Sequence, residues 1–330
     1  MGNSKSLSIS LYEREGLPDH LYPLNLKPLF TLVYHIASIF LREVCNQMYR
    51  ILLREDLVPN IHLFKIEAPA VARKAQPGQF VMIRIDEKGE RIPVTVADWD
   101  RAEGSVTVVF MEVGTTTRRL ATLKTGDSVL DFVGPLGLPT HIESYGTVIM
   151  VAGGFAVAVV MPIARAMKEK GNRVISILGA RSKNLLFWEN ELRKVSDELI
   201  ITTDDGTYGR KGLVTEPLKE ILETRKSEIG RVIAIGPSIM MKFSAKTTQP
   251  FGVKTIVSLN PIMMDGTGMC GCCRVSVGGV TRFACVDGPD FDGHQVDWDL
   301  LLARQKTYLD EEKKSLELWQ QHSCQCQTRV

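Results

Sequence analysis

The rhythm of apolar and polar positions changes along the chain. From Met48 to about residue 145, short alternating runs are broken by glycine and proline: NIHLFKIEAP, PGQFVMIRID, RIPVTVADWD, GSVTVVFMEV and GDSVLDFVGPLG. Period-two alternation marks half-buried strands, and the turn residues between the runs mark reversals. Met48 itself opens MYRILLREDLVPN, which reads as a further strand. A short helical piece spans residues 116–122. Strands at this spacing predict a small antiparallel β-barrel. From 146 to 257 the strands become near-continuous apolar runs, GTVIMVAGG, NRVISILGAR, ELIITTDDG and RVIAIGP. They alternate with helical segments such as FAVAVVMPIARAMKEKG and TEPLKEILETRK. That alternation predicts a three-layer α/β domain around a parallel sheet. Residues 258–292 follow neither rhythm. Residues 293–321 read as one charged amphipathic helix, with Val296, Leu300, Tyr308, Leu309, Leu316 and Trp319 on its apolar side.

The expected organisation is therefore an N-terminal extension (1–47), a barrel (48–145), an α/β domain (146–257), a small module (258–292) and a C-terminal helix with its tail (293–330). The extension contains LFTLVYHIASIFL, which is short for a membrane span and is interrupted by His35. Arg42 and Glu43 follow where a signal peptide would carry small residues. No membrane span is expected, and the extension is read as lying outside the core fold.

Composition adds exclusions. The 330 residues are 24% charged and 44% hydrophobic, an ordinary globular balance with length for two or three domains. A net charge of +2 gives no reason to expect nucleic acid or an anionic membrane as partner. Seven cysteines is an odd number, and they are clustered. This suits metal ligation in a reducing, cytoplasmic setting better than a disulfide framework.

The chemistry concentrates in DGTGMCGCCRVSVGGVTRFAC, residues 265–285. Gly266, Gly268 and Gly271 let the backbone wrap closely and turn N–H groups inward. The spacing C-x4-C-x2-C…C of plant-type iron–sulfur proteins puts Cys270, Cys273 and Cys285 in register. Its first position falls on Asp265, which makes the expected ligand set three thiolates and one carboxylate. A zinc site is the alternative, although zinc ribbons pair two C-x2-C knuckles and one is present here. Cys272 is a substitute ligand or, as favoured here, a small buried thiol. The tail cysteines Cys324 and Cys326 are expected to be mobile.

Two segments of the barrel could hold phosphates. In RIPVT, Arg91 precedes a strand stiffened by Pro93, with Val94 and the Thr95 hydroxyl beyond. In GTTTRRL, Gly114, Thr116 and Thr117 stand at a helix start. A surface arginine and a plain helix cap explain the same residues. Ligands of open parallel sheets bind beyond the C-terminal strand ends. There stand Gly153, Gly154, Gly179, Arg181, Asp204, Asp205, Gly206, Gly236 and Pro237.

RIPVT, GGF…MPIARA, GAR, TDDGTYGRKG, AIGP and DGTGMCGCCRV…FACVDGP occur in one order. That order resembles the ferredoxin–NADP⁺ reductase-like electron-transfer subunits. Among them are the small subunit of NADH-dependent reduced ferredoxin:NADP⁺ oxidoreductase and, more distantly, the dihydroorotate dehydrogenase electron-transfer subunit and the sulfhydrogenase gamma subunit. The resemblance runs from about Met48 to the tail. It implies FAD on the barrel, with Arg91, Pro93, Val94 and Thr95 around the flavin and Gly114, Thr116 and Thr117 near its phosphates. It implies NAD(H) or NADP(H) on the α/β domain, walled by Gly153, Gly154, Arg181, Asp205 and Gly236. It implies a [2Fe-2S] cluster on Asp265, Cys270, Cys273 and Cys285, facing a larger flavin- and iron–sulfur-bearing partner subunit. The implied activity is that of an oxidoreductase subunit with no catalytic acid or base of its own. The family's GGGVGVAP-like loop is AGGFAVAV here, with Ala152, Ala156 and Val159 in place of two glycines and a proline, and Phe155 adding bulk. Methyl groups at those places are expected to crowd a pyrophosphate. The rival expectations are an electron relay with a closed nucleotide site and a zinc-bearing structural subunit.

Overall fold

The computed structural model describes residues 48–327. The extension over 1–47 and the side chains of Cys324 and Cys326 lie outside the described residues. The first sheet is built from β1 (Tyr49–Val58), β2 (Ile61–Glu67), the short α1 (Pro69–Lys74), β3 (Phe80–Arg84), β4 (Ile92–Asp100), β5 (Ser105–Met111), α2 (Thr115–Ala121), β6 (Ser128–Val129) and β7 (Asp131–Leu136). Its strand order is β6-β1-β2-β5-β4-β3-β7, antiparallel throughout. β6 pairs with β1 and β7 pairs with β3. One bent run from 128 to 136 thus lines both edges and closes the barrel, as expected. Phe64, Ile66, Val81, Ile83, Val94, Val96, Val106 and Val108 fill the interior. Successive strand residues point to opposite faces, so Phe80 and Met82 point outward. Both are nonetheless buried, at 4% and 1% exposure. The outer face of β3 is therefore covered by the rest of the chain.

That cover comes from the second sheet and the segment after it. The elements are β8 (Thr147–Gly153), α3 (Val157–Glu169), β9 (Arg173–Ala180), α4 (Glu189–Val195), β10 (Glu198–Thr203), β11 (Arg210–Lys211), α5 (Thr215–Arg225), β12 (Ile229–Ile235), α6 (Ser238–Thr248), β13 (Thr255–Ser258), β14 (Arg274–Val277), β15 (Val280–Phe283) and β16 (Asp290–Asp292). The order β11-β10-β9-β8-β12-β13-β16 is parallel except for β16. All seven residues of β8 are buried, which is why its sequence shows no alternation. The strand order reverses between β8 and β12, and a crevice at such a switch point is where open α/β sheets take ligands. The cysteine-bearing segment is an insertion between β13 and β16 of this sheet, with β14 and β15 as its own hairpin.

Two interior clusters join the parts. One packs Phe80 and Met82 of the barrel with Ile149, Val151, Val232 and Ala234 of the sheet, and with Cys273, Val275, Ala284 and Cys285. The other packs Ile61, Leu63, Ala97 and Val109 of the barrel against β8 and α3. Arg165 of α3 also donates to Asp98 of β4 at 2.7 Å.

The C-terminal segment departs from the expected single helix. It forms α7 (Trp298–Arg304) and α8 (Leu309–Gln327). The chain turns at 293–295 and bridges Val277 through Val296, and the Asp297 carboxylate then accepts from Leu300 N at 3.0 Å and starts α7. The Thr307 hydroxyl then donates to the Arg304 carbonyl at 2.7 Å and helps end that helix. Among the described residues no helix is long and apolar enough to cross a membrane.

Candidate functional site

The loop between β13 and β14 places its four expected ligands in two settings. Cys273 and Cys285 are buried, and their sulfurs face each other at 3.0 Å. Cys270 lies exposed at the rim, with Asp265 half-buried near it. Gly266, Gly268 and Gly271 all have positive φ, so the turns depend on glycine. Backbone N–H groups of Cys272 and Asp265 approach the Cys270 sulfur and hold its thiol below the usual range. Burial pushes the Cys285 thiol up to about 12, with the neighbouring Cys273 thiol adding to the rise. A thiol this reluctant to ionise in the bare fold is matched to a bound cation that takes its proton's place. The Asp265 carboxylate accepts from the Thr267 hydroxyl and from Thr267 N at 3.1 Å, and these bonds, with Arg91 nearby, hold it below the usual carboxylate range. Two sulfurs on one tetrahedral metal stand about 3.7 Å apart at metal–sulfur bonds of about 2.3 Å. The buried pair would open by well under an ångström to take one. Donor set, glycine turns and inward N–H groups thus fit a cluster. Cys272 is not the buried thiol expected: it is half-exposed, with its sulfur 3.5 Å from Met264 Sδ and its carbonyl accepting from Arg304 at 3.2 Å.

Directly behind the loop lies the outer face of the barrel. In the β3–β4 register Met82 stands opposite Pro93, and Phe80 opposite Thr95. Pro93 is exposed, Thr95 half-buried, and Val94 turned into the barrel interior. Arg91 pairs with Asp131 at 3.2 Å, an oxygen it shares with Arg84 at 2.6 Å. At the start of α2, the Thr117 hydroxyl accepts from the N–H groups of Val113 and Gly114 at 2.9 and 3.1 Å. The buried Thr116 hydroxyl donates to Glu90 at 2.9 Å. Both hydroxyls are engaged within the protein, while the space beside Gly114 is open.

At the sheet's C-terminal edge, Gly153 ends β8 and Gly236 follows β12, on the two sides of the switch point. Met240 lies over both: a Cβ on Gly153 would come 2.5 Å from its Sδ, and one on Gly236 2.9 Å from its Cε. Gly154, at φ +61°, has open space where a Cβ would be. The substituted loop positions do not line this opening. Ala152, Ala156 and Val159 are 1%, 3% and 7% exposed and sit in the interior cluster under α3. Their methyl groups therefore do not crowd the crevice. Phe155, 37% exposed, is the substitution that faces outward. Arg181 is exposed and its carbonyl accepts from Asp205 N at 3.2 Å. The Asp205 carboxylate turns back to Thr207 N and Oγ1, at 2.9 and 2.7 Å, which hold it below the usual range.

Sequence reasoning passed over Met82, Leu136 and Asp290. A Cβ on Gly266 would meet Met82 Cγ at 2.7 Å and Leu136 Cδ1 at 2.9 Å, so both side chains lie against the cysteine loop. A signal existed, because FVMIR is apolar on both faces, and a solvated barrel exterior would not be. Asp290 opens β16 between the sheet and the barrel's last turn. Its Oδ2 accepts from Thr140 at 2.6 Å, whereas Oδ1 is out of contact with solvent, with the Ser258 hydroxyl near the carboxylate. Burial pushes this carboxyl up to about 6.

Known proteins share this arrangement. The family described as the iron–sulfur cluster binding domain of dihydroorotate dehydrogenase B matches residues 260–297. A Thermotoga maritima protein named as a homolog of the dihydroorotate dehydrogenase B (NAD(+)) electron transfer subunit is 50% identical over 267 residues, covering 81% of this chain and 94% of its own. The subunit of that name from Desulforamulus reducens is 33% identical over 251 residues, covering 74% and 95%. A solved chain of the NADH-dependent reduced ferredoxin-NADP oxidoreductase superposes with a TM-score of 0.78 at 47% identity, covering 83% of this chain and 98% of that one. A ferredoxin NADP⁺ reductase from Neisseria gonorrhoeae shares the fold at 19% identity, TM-score 0.54, covering 62% and 91%. The chain belongs to the family of dihydroorotate dehydrogenase B electron transfer subunits and their homologues.

Proposed function

We propose that the chain is the flavin- and iron–sulfur-bearing electron-transfer subunit of an oxidoreductase, passing electrons between NAD(P)H, FAD and a [2Fe-2S] cluster, to or from a larger partner subunit. The observation that carries this reading is the cysteine loop lying on the outer face of β3, one strand from RIPVT. The relatives named for dihydroorotate dehydrogenase B and for ferredoxin-NADP oxidoreductase support it, and the latter extends it to an electron-bifurcating complex. Asp265, Cys270, Cys273 and Cys285 would hold the cluster. Pro93 and Thr95 would line the flavin ring with Val94 behind them. Arg91 and the turn Gly114–Thr117, through backbone N–H groups, would meet its phosphates. Gly153, Gly154, Arg181, Asp205 and Gly236 would wall the nucleotide. A bound flavin converts a two-electron hydride into single electrons. The chain's residues bind, orient and exclude water, and none acts as an acid or base.

The nucleotide site is read as working, because the alanines and Val159 are buried away from it. Anaerobic titration with NADH or NADPH, followed in the visible, tests this. Bleaching of the flavin followed by loss of the cluster bands is expected. Flavin and cluster that respond to dithionite and to neither nucleotide would establish the closed-site relay instead. A purified protein without iron and acid-labile sulfide would overturn both.

A further inference from the structure

We infer that Met82 is a positioning residue that sets the coupling between the flavin face and the cluster loop; this rests on the function proposed above. The side chain is 1% exposed. Across β3–β4 it stands opposite Pro93, and such pairs have Cβ atoms about 4.5–5.5 Å apart. On its other side it meets the loop backbone: a Cβ on Gly266 would come 2.7 Å from Met82 Cγ and 3.2 Å from its Sδ. Gly266, at φ +83°, adjoins the expected ligand Asp265. Pro93 and Val133, the two cross-strand neighbours of Met82, are exposed, while Met82 lies under the loop. Met82 thus spans, itself buried, from the strand that would face the flavin to the loop that would hold the cluster.

A hydride from the nicotinamide brings two electrons to the flavin. Each would cross in turn to the oxidised cluster, the partner subunit taking the first onward before the second follows, while the hydride's proton leaves the flavin to solvent. Electron transfer over such a span weakens steeply when packed atoms are replaced by a void. Met82, a long, polarizable thioether, fills that span with dispersion contacts a shorter side chain lacks.

The test uses full-length protein carrying FAD and cluster. It is mixed anaerobically with NADH in stopped flow, with flavin and cluster absorbance followed separately and the cluster checked by EPR after dithionite reduction. Displacement by about an ångström costs up to about 10²-fold in a positioned reaction, and for Met82→Ala we expect flavin-to-cluster transfer about tenfold slower. Flavin bleaching by NADH and the EPR spectrum should be unchanged. Met82→Leu, similar in volume, should stay within about twofold of wild type. Met241→Ala, a truncation elsewhere in the same interior cluster, should leave transfer unaltered. If Met82→Ala does not fold, Met82→Val carries the same expectation. Wild-type transfer rates in a truncated variant holding both groups would overturn the inference, as would a folded variant that loses its cluster, which makes the role purely structural. Failure of the functional reading looks different: the wild-type protein itself would then bind no FAD or no cluster.

Discussion

In the proposed cluster site Asp265 would take the first of four ligand positions, an oxygen donor where sulfur is usual. Asp265→Cys is expected to retain a cluster with a shifted midpoint potential and altered EPR g-values. An unchanged spectrum would remove the carboxylate from the ligand set. Asp290 behaves differently. Its folded value of about 6 lies above the ordinary 3.8. Well below pH 3.8 the group is protonated in folded and unfolded chains alike, and near pH 4 little of its burial penalty has yet developed. As pH rises to about 6 the unfolded chain ionises first, and folding loses on the order of 3 kcal/mol. Asp290→Asn is therefore expected to raise the melting temperature at pH 8 and leave it nearly unchanged at pH 4. Thermal melts at the two values check it. The iron–sulfur character of residues 260–297 was legible from cysteine spacing. Asp290 was not, because nothing in VDGPDFDG distinguishes the one aspartate with a carboxylate oxygen turned away from solvent.

At the level of elements, the β8–α3 turn separates positions that the sequence alone treats alike. Ala152 is buried near the end of β8, and Phe155 is exposed at the turn that follows it. Phe155→Ala is expected to tighten NADH binding, read from the flavin-bleaching titration. Ala152→Gly should leave affinity unchanged while costing about 0.5–1 kcal/mol of stability. At the start of α2 the Thr117 hydroxyl caps its own helix, so Thr117→Ala should cost about 1 kcal/mol in denaturant unfolding. Strand and helix periodicity made most elements readable. The break between α7 and α8 was missed because the apolar pattern runs through it, and the side chains that punctuate it, Asp297 and Thr307, act by single hydrogen bonds.

At the scale of the whole molecule, barrel, sheet and cysteine loop share interior residues. Denaturant unfolding monitored by Trp fluorescence and by far-UV circular dichroism is expected to give one coincident transition; two separated midpoints would mean the cores are independent. Alternation in the first hundred residues of the core and apolar runs in the next hundred identify a barrel followed by an α/β sheet. How the two are joined was not legible, because contacts such as Phe80 with the sheet link positions far apart in sequence.

Those shared interiors have a consequence for ancestry. Reductases with the same two-part fold look like assemblies of interchangeable modules, and residue 145 looks like a natural point of exchange. Here Ile61, Leu63, Ala97 and Val109 on one side are shaped to α3 on the other. A change of volume on one side of the join is therefore expected to need an answering change across it, a pairing that double-mutant cycles across Ala97 and α3 would read out as non-additive stability.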